Sequence, residues 1–414
     1  MRVLFLQRQP CIRALKIAAG LRSRPGPLHL SFAFQGRTLS AWYGTGDELF
    51  DEWIDLGRAA EPRDELARAI ERARPDVIHS HNLPDVLTVL ALETAGGRVP
   101  VVHDAHDLQS LRRTPYNDGF PEPARPAELE RLAVEGCAAL VTVSDEVVAA
   151  IAARHRLPGR VEVFPNYALA ADLPRPAPET PERVGTPRLV YQGSLGTDGG
   201  HYDLRGIFAE LVAAGLRLDV HPARPAPEYE ALARGRPGLT VHAPLPPAEL
   251  LATLPRYDLG WAGFNAMLNR AHIDTALPNK AFEYLASGLP LATLGHRALV
   301  RLIEEEGVGV SVDRPADLPS RLAQTDLAAI RRRVLAARDR FTIEGAIGRV
   351  RDLYRDLIGT GARSGSPAGA QAATSASGRT GEPVAPTTFS GAHTKLNSTR
   401  SAAASSSSAR FSRM

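Results

Sequence analysis

Lysine is scarce in this chain: it stands only at positions 16, 280 and 395, against 46 arginines. Lys280 lies in LPNKAFEYLASGLPLAT (277–293), where a helix is expected to open after Pro278 and stop at Gly288. Glu283 follows three residues later, so ammonium and carboxylate share one face of the first turns. In a chain that otherwise supplies positive charge as arginine, a lysine at a helix start suggests a compact point charge. With the helix N-terminus it could hold a phosphate, and Glu283 could accept hydrogen bonds from ribose hydroxyls. The alternative is a solvated Lys–Glu pair, against which the apolar flank AFEYLASG argues.

Three further groups could do chemistry. The loop YQGSLGTDGG (191–200) follows an apolar run and leads into a helix, so Gly193 and Ser194 could admit a phosphate to the backbone. Its glycine spacing is neither a P-loop nor GxGxxG, and a plain turn is the alternative. His79, His81, Asn82, His103, Asp104, His106 and Asp107 come from two strand ends that should be neighbours. The four histidines also resemble a metal site, which leaves a metal-dependent hydrolase as a second reading. Arg13 and Lys16 follow the first strand, where they could contact an anion or an acceptor, or lie on a solvated helix face. The loop 112–126 is long and Pro-rich, and Tyr116, Asn117 and Phe120 are its candidates for acceptor binding.

Elements to carry these residues are legible in the apolar pattern. Short apolar runs at 3–6, 28–34, 76–81, 99–104, 139–144 and 161–165 read as strands. Helical periodicity at 63–73, 126–137 and 146–155 falls between them. After a Pro-rich break at 171–187 the alternation restarts with strands at 188–193, 216–221, 239–243, 258–264, 289–294 and 308–312. Helices are expected at 247–255 and 279–287. This is the pattern of two successive parallel βαβ domains, and in such sheets ligands bind beyond the carboxyl ends of the strands.

The chain has 414 residues, more than one ordinary core accommodates. The formal charge of +3 is misleading, because the segment from Gly361 onward carries +5 and leaves residues 1–360 at −2. No basic face for nucleic acid is implied. That Ser/Ala/Gly/Thr-rich tail has no apolar periodicity and is expected to be disordered. Two cysteines, Cys11 and Cys137, exclude a disulfide framework and are expected to be inert thiols. With no apolar run of membrane-spanning length and no signal-peptide pattern, a cytoplasmic protein is expected.

The segment PNKAFEYLASGLPLAT resembles the donor-site helix of retaining, bacterial cell-surface-polysaccharide glycosyltransferases of the GT-B fold (the group 1, family 4-like enzymes). DVIHSHN (76–82), VVHDAHD (101–107), VTVSDEVV (141–148), VEVFPN (161–166), VYQGSL (190–195) and YDLGWAGF (257–264) are similar to further landmarks of that family, in its order. The resemblance spans roughly residues 1–358.

It implies two Rossmann-like domains facing a cleft. These are an acceptor-side domain at 1–166 and a donor-side domain at 184–340, joined by a linker at 167–183. A closing helix at 341–358 precedes the tail at 359–414. Glu283 would bind the donor ribose, Lys280 the diphosphate with Gly193 beneath it, and His106 would face the donor sugar. Lys280 and His106 are thus the catalytic candidates.

The family's first motif glutamate falls at Thr275, beside Asp274, and a frequent arginine is replaced by Ser194. Those two departures leave open a catalytically silent nucleotide-sugar-binding protein. The expected partners are a nucleotide sugar and a glycan or lipid-linked acceptor, with peripheral contact at the inner membrane. Neither metal nor cofactor is expected, and retention of configuration follows from the resemblance.

Overall fold

The computed structural model describes residues 1–36, 46–114, 123–173 and 185–364. Tyr116, Asn117 and Phe120 lie outside the described residues, as does nearly all of the expected tail.

Among the described residues, thirteen strands form two all-parallel sheets. The first contains β1 (Arg2–Leu6), β2 (His29–Phe34), β3 (Glu52–Asp55), β4 (Val77–His81), β5 (Val101–Ala105), β6 (Ala139–Thr142) and β7 (Val161–Val163). The second contains β8 (Arg188–Gly193), β9 (Arg217–Pro222), β10 (Leu239–Val241), β11 (Leu259–Trp261), β12 (Leu291–Leu294) and β13 (Gly309–Val312). Their orders are β3-β2-β1-β4-β5-β6-β7 and β10-β9-β8-β11-β12-β13. In each, chain order reverses beside the first strand, between β1 and β4 and between β8 and β11. Crevices for ligands open at such switch points. The architecture is the expected pair of Rossmann-like sheets, with β3 as an unforeseen addition.

Helices cover both faces, so β1, β4 and β5 are buried almost throughout. On one face of the first sheet, Phe5, Phe32 and Val102 pack with Ile17 and Leu21 of the helix Ile12–Arg22. The last helix, Gly348–Ser364, adds Val350, Leu353 and Tyr354 to the same cluster. The chain therefore ends its second sheet and returns to close the first one. That helix runs past residue 358, where the tail was expected to begin.

The helix Asn279–Ala286 is held against the second sheet by an unusually close approach. A Cβ on Gly260 would lie 2.2 Å from the Tyr284 ring, so only glycine lets the helix settle on β11. Tyr284 in turn bonds backbone of β8, accepting from Gln192 N at 2.9 Å. This packing carries Lys280 and Glu283 to the carboxyl end of β8.

Candidate active site

Lys280 is 7% exposed, and its Nζ has no hydrogen-bond partner among the described residues. It lies 3.9 Å from the centroid of Tyr191 and 5.0 Å from that of Phe264. Burial lowers its pKa to about 7, against a smaller opposing pull from Glu283. Gly193 ends β8 with φ +123°, and a Cβ there would stand 3.5 Å from Nζ. A glycine at this point both permits the backbone turn and keeps the lysine's surroundings open. Ser194 contributes its carbonyl to the Tyr191 hydroxyl at 2.6 Å.

Glu283 is engaged from both sides. Its Oε1 accepts from Lys16 Nζ at 2.9 Å, and its Oε2 from Gln192 Nε2. Lys16 also donates to Asn279 Oδ1 at 3.1 Å. The lysine after the first strand, expected as a contact to an external anion, thus has protein partners across the cleft. Arg13 is likewise committed. Its Nε donates to both oxygens of Asp104 at 2.9 and 3.0 Å, and its Nη1 donates to Asn166 Oδ1 at 3.1 Å. A buried guanidinium has to be paired in this way to offset desolvation.

The histidines do not converge as one group. Ser80 pairs with His103 and His81 with Asp104 in the parallel register, which puts His103 on the opposite face from Asp104. There Thr88 bonds its Nδ1 at 3.1 Å and Asp85 lies 3.6 Å from its Nε2. His79, His81 and Asp104 do come together, with ligand-capable atoms within 4.8 Å. His79 is also bonded by Tyr354 of the last helix, and Arg13 already neutralises Asp104. The four-histidine cluster of the alternative, metal-dependent reading is therefore not assembled: two histidines meet a carboxylate that already holds a guanidinium.

His106 sits at the rim of this group, with Nδ1 3.2 Å from Asp104 Oδ1. Asn82 fixes the loop, its Oδ1 accepting from the His106 amide at 3.2 Å and its Nδ2 donating to the Asp107 carbonyl. Burial opposes charge on His106, but hydrogen bonds with Asp104 and the Cys11 thiol outweigh it and raise the pKa to about 10. Burial likewise pushes the Cys11 thiol up, and His106 more than reverses this, so the pKa falls below its usual value. Burial would raise Asp104, yet the Arg13 guanidinium, His81 and hydrogen bonds from His106 and His79 hold it well below the usual carboxylate range. Cys11, expected to be inert, is half-buried and paired with an imidazolium, whereas Cys137 is buried and pushed up to about 12 by burial.

Thr275 and Asp274 are turned to structural work. Thr275 Oγ1 donates to the His272 carbonyl at 2.8 Å, and its own carbonyl accepts from Ser144 Oγ at 2.7 Å. Asp274 lies 3.2 Å from Arg270 Nε and 3.4 Å from Arg297 Nε. What faces the cleft from that segment is His272, whose Nε2 is 3.5 Å from Asp107 Oδ1. His201, from the glycine-rich loop, stands beside it with ring centroids 6.1 Å apart. Neither imidazole was singled out from sequence. Their only local signals are that His201 follows Gly199-Gly200 and that His272 precedes Thr275 by three residues.

Asn166 Nδ2 donates to the Leu277 carbonyl at 2.8 Å, and Asn269 bonds Thr114 Oγ1 at 2.9 Å. With Ser144–Thr275 and Lys16–Glu283, these bonds bring the carboxyl ends of the two sheets face to face. Lys280, over Gly193, and His106, from the other sheet, both stand at these carboxyl ends. Such an arrangement suits stabilisation of an anionic leaving group.

Residues 17–167 match the family described as the glycosyl transferase 4-like domain. No curated protein matches the sequence at a significant level. Among solved structures, sucrose-phosphate synthase from Thermosynechococcus elongatus is 13% identical over 86% of this chain and 99% of its own, with a TM-score of 0.61. HepE of Anabaena, solved in complex with UDP, is 12% identical over 86% and 100%, with a TM-score of 0.62. WaaG, a glycosyltransferase involved in lipopolysaccharide biosynthesis, is 14% identical over 85% and 99%, with a TM-score of 0.55. At these identities the structural likeness speaks for the fold, and the domain match speaks for the class. Residues 17–167 thus match a glycosyl transferase 4-like domain, and the chain as a whole has the GT-B fold of these structures.

Proposed function

We propose that the chain moves a sugar from a nucleoside-diphosphate sugar to a hydroxyl acceptor, with retention of configuration and without a metal ion. The observation that carries this reading is Lys280, a buried lysine without a hydrogen-bond partner, set against Gly193 at the switch point of the second sheet. A buried ammonium without a hydrogen-bond acceptor is costly, which is why burial lowers its pKa, and an anionic ligand would favour its charged form. HepE, which shares the fold, binds UDP and glucose.

In this reading Lys280 contacts the diphosphate, whose negative charge grows as the glycosidic bond breaks. Charge placed where it develops in the transition state lowers the barrier without reorganisation. Glu283, oriented by Lys16 and Gln192, accepts from the donor ribose; a carboxylate has lone pairs to spare after two bonds. His106, held by Asp104, faces the sugar from the acceptor-side domain. Metal independence is supported by Lys280 taking the role of a divalent cation and by Arg13 balancing Asp104. Retention rests on the family resemblance of the 278–288 segment, as does a glycan or lipid-linked acceptor at the cytoplasmic membrane face. Among the described residues no helix is long and apolar enough to cross a membrane.

Thermal-shift and donor-hydrolysis assays over a panel of nucleotide sugars test the reading, with and without EDTA. A donor should stabilise the protein, and EDTA should leave its turnover unchanged. Stoichiometric metal at His79, His81 and Asp104, required for turnover, would favour the hydrolase instead.

A further inference from the structure

We propose that His201 and His272 form the subsite for the donor's sugar ring, in place of the carboxylate that the sequence lacks at Thr275. This rests on the donor reading above and assigns two further binding residues to it.

The position of the pair is triangulated from both domains. On one side, the Phe264 ring lies 5.0 Å from Lys280 Nζ and 6.1 Å from the His201 ring. On the other, His272 Nε2 lies 3.5 Å from Asp107 Oδ1, next in sequence to His106. The two imidazoles therefore bridge the space between the phosphate-holding lysine and the acceptor-side histidine. A sugar attached to a diphosphate at Lys280 has to occupy that space.

Their chemistry fits a hydroxylated ring. His201 is 7% and His272 is 5% exposed, yet the Nδ1 of each has no hydrogen-bond partner among the described residues. Buried polar atoms are usually bonded, so an unbonded nitrogen on each of two neighbouring rings leaves capacity for a ligand. Burial lowers the pKa of His201 to about 4 and lowers that of His272 as well, so both rings are neutral at physiological pH. A neutral imidazole offers one donor and one acceptor, the complement of a sugar hydroxyl. Thr275 has its one hydroxyl proton committed to the His272 carbonyl, so it cannot also donate to a sugar hydroxyl.

The test compares binding of UDP with UDP-glucose, and of GDP with GDP-mannose, by calorimetry on the full chain. For the pair that the wild type binds, His201→Leu and His272→Leu should each weaken the sugar nucleotide about tenfold, the worth of one lost hydrogen bond. The corresponding diphosphate should change less than twofold. His272→Gln should recover part of the loss, which a purely structural role would not produce. If either Leu variant melts early, the Gln variants of both residues and the ratio of the two affinities still decide. An unchanged ratio in all variants overturns the subsite. Failure of the wild type to bind any of the four ligands instead sinks the donor reading, and the subsite with it.

Discussion

Lys16 Nζ, on the first helix of one domain, lies 2.9 Å from Glu283 Oε1 on the helix Asn279–Ala286 of the other. The pair links residues 267 positions apart, and both side chains are largely buried. Lys16 is therefore an orienting partner for the carboxylate rather than a free anion contact.

Removing one member should expose this dependence. Lys16→Met leaves a buried carboxylate short of its cation, which should cost about 1–3 kcal/mol of stability. Glu283→Gln should raise the donor KM about tenfold, and Lys16→Met by a few-fold only. In a double-mutant cycle followed by denaturant unfolding, the pair should show coupling of about 1 kcal/mol or more. Additive effects would show that the contact does not persist in solution.

Lys280 should destabilise the ligand-free protein. Its folded pKa of about 7 lies below the ordinary 10.5, so the unfolded chain binds more protons between those values. The penalty is full below pH 7 and fades as pH rises towards 10.5, where both states are neutral. Lys280→Met should therefore raise stability by roughly 2–4 kcal/mol at pH 6 and progressively less at higher pH. The same change should lower turnover by about 10²–10³-fold. A variant that is both less stable at pH 6 and still active would remove Lys280 from the site.

The same lysine should take up a proton when a diphosphate binds. At pH 8.5 it is largely neutral in the free protein, and a bound anion favours the ammonium form. Calorimetry of UDP binding in buffers of different ionisation enthalpy should reveal uptake approaching one proton at pH 8.5 and little at pH 6. Lys280→Met should abolish it. Binding heats at pH 8.5 that are the same in every buffer would contradict the assignment.

His106 should have the opposite pH signature. Its folded pKa of about 10 is above the ordinary 6.5, so its contribution is complete below pH 6.5 and is lost as pH rises through 10. His106→Gln should thus be destabilising at pH 6, with the deficit shrinking towards pH 10. In turnover assays His106→Ala should lower the rate more than nucleotide affinity. Equal losses of both would place this histidine away from the sugar.

Thiol chemistry provides an independent reading of the same corner. Cys11 should react with Ellman's reagent in the native protein, and at lower pH than an ordinary thiol, since His106 favours the thiolate. Cys137, buried and with its pKa pushed up to about 12, should react only after unfolding. One thiol before denaturation and two after it is the expected count, with slower native reaction in His106→Ala. Two native thiols, or none, would disprove the Cys11–His106 pairing.

How much of this was written in the sequence follows from the range over which each feature is decided. The two parallel sheets were legible because apolar runs of four to seven residues, separated by helical periodicity, are local signals that survive packing. Strand β3 was not, since EWID is short and carries acids at both ends. Its pairing with β2, not its composition, makes it a strand. The helix at 279–286 and its Lys280 were visible from Pro278, Gly288 and the scarcity of lysine. Its neighbours were not. Lys16 meets Glu283, and Cys11 meets His106, only because two switch points are brought face to face. The separation of His103 from His79 and His81 depends on sheet register, which sequence spacing within one strand does not specify. His201 and His272 are unremarkable in the chain and acquire meaning only between Lys280 and Asp107. Local pattern determined the elements because backbone geometry and apolar period act over a few residues. Tertiary structure decided the site because burial, charge pairing and unbonded polar atoms are properties of neighbours distant in sequence.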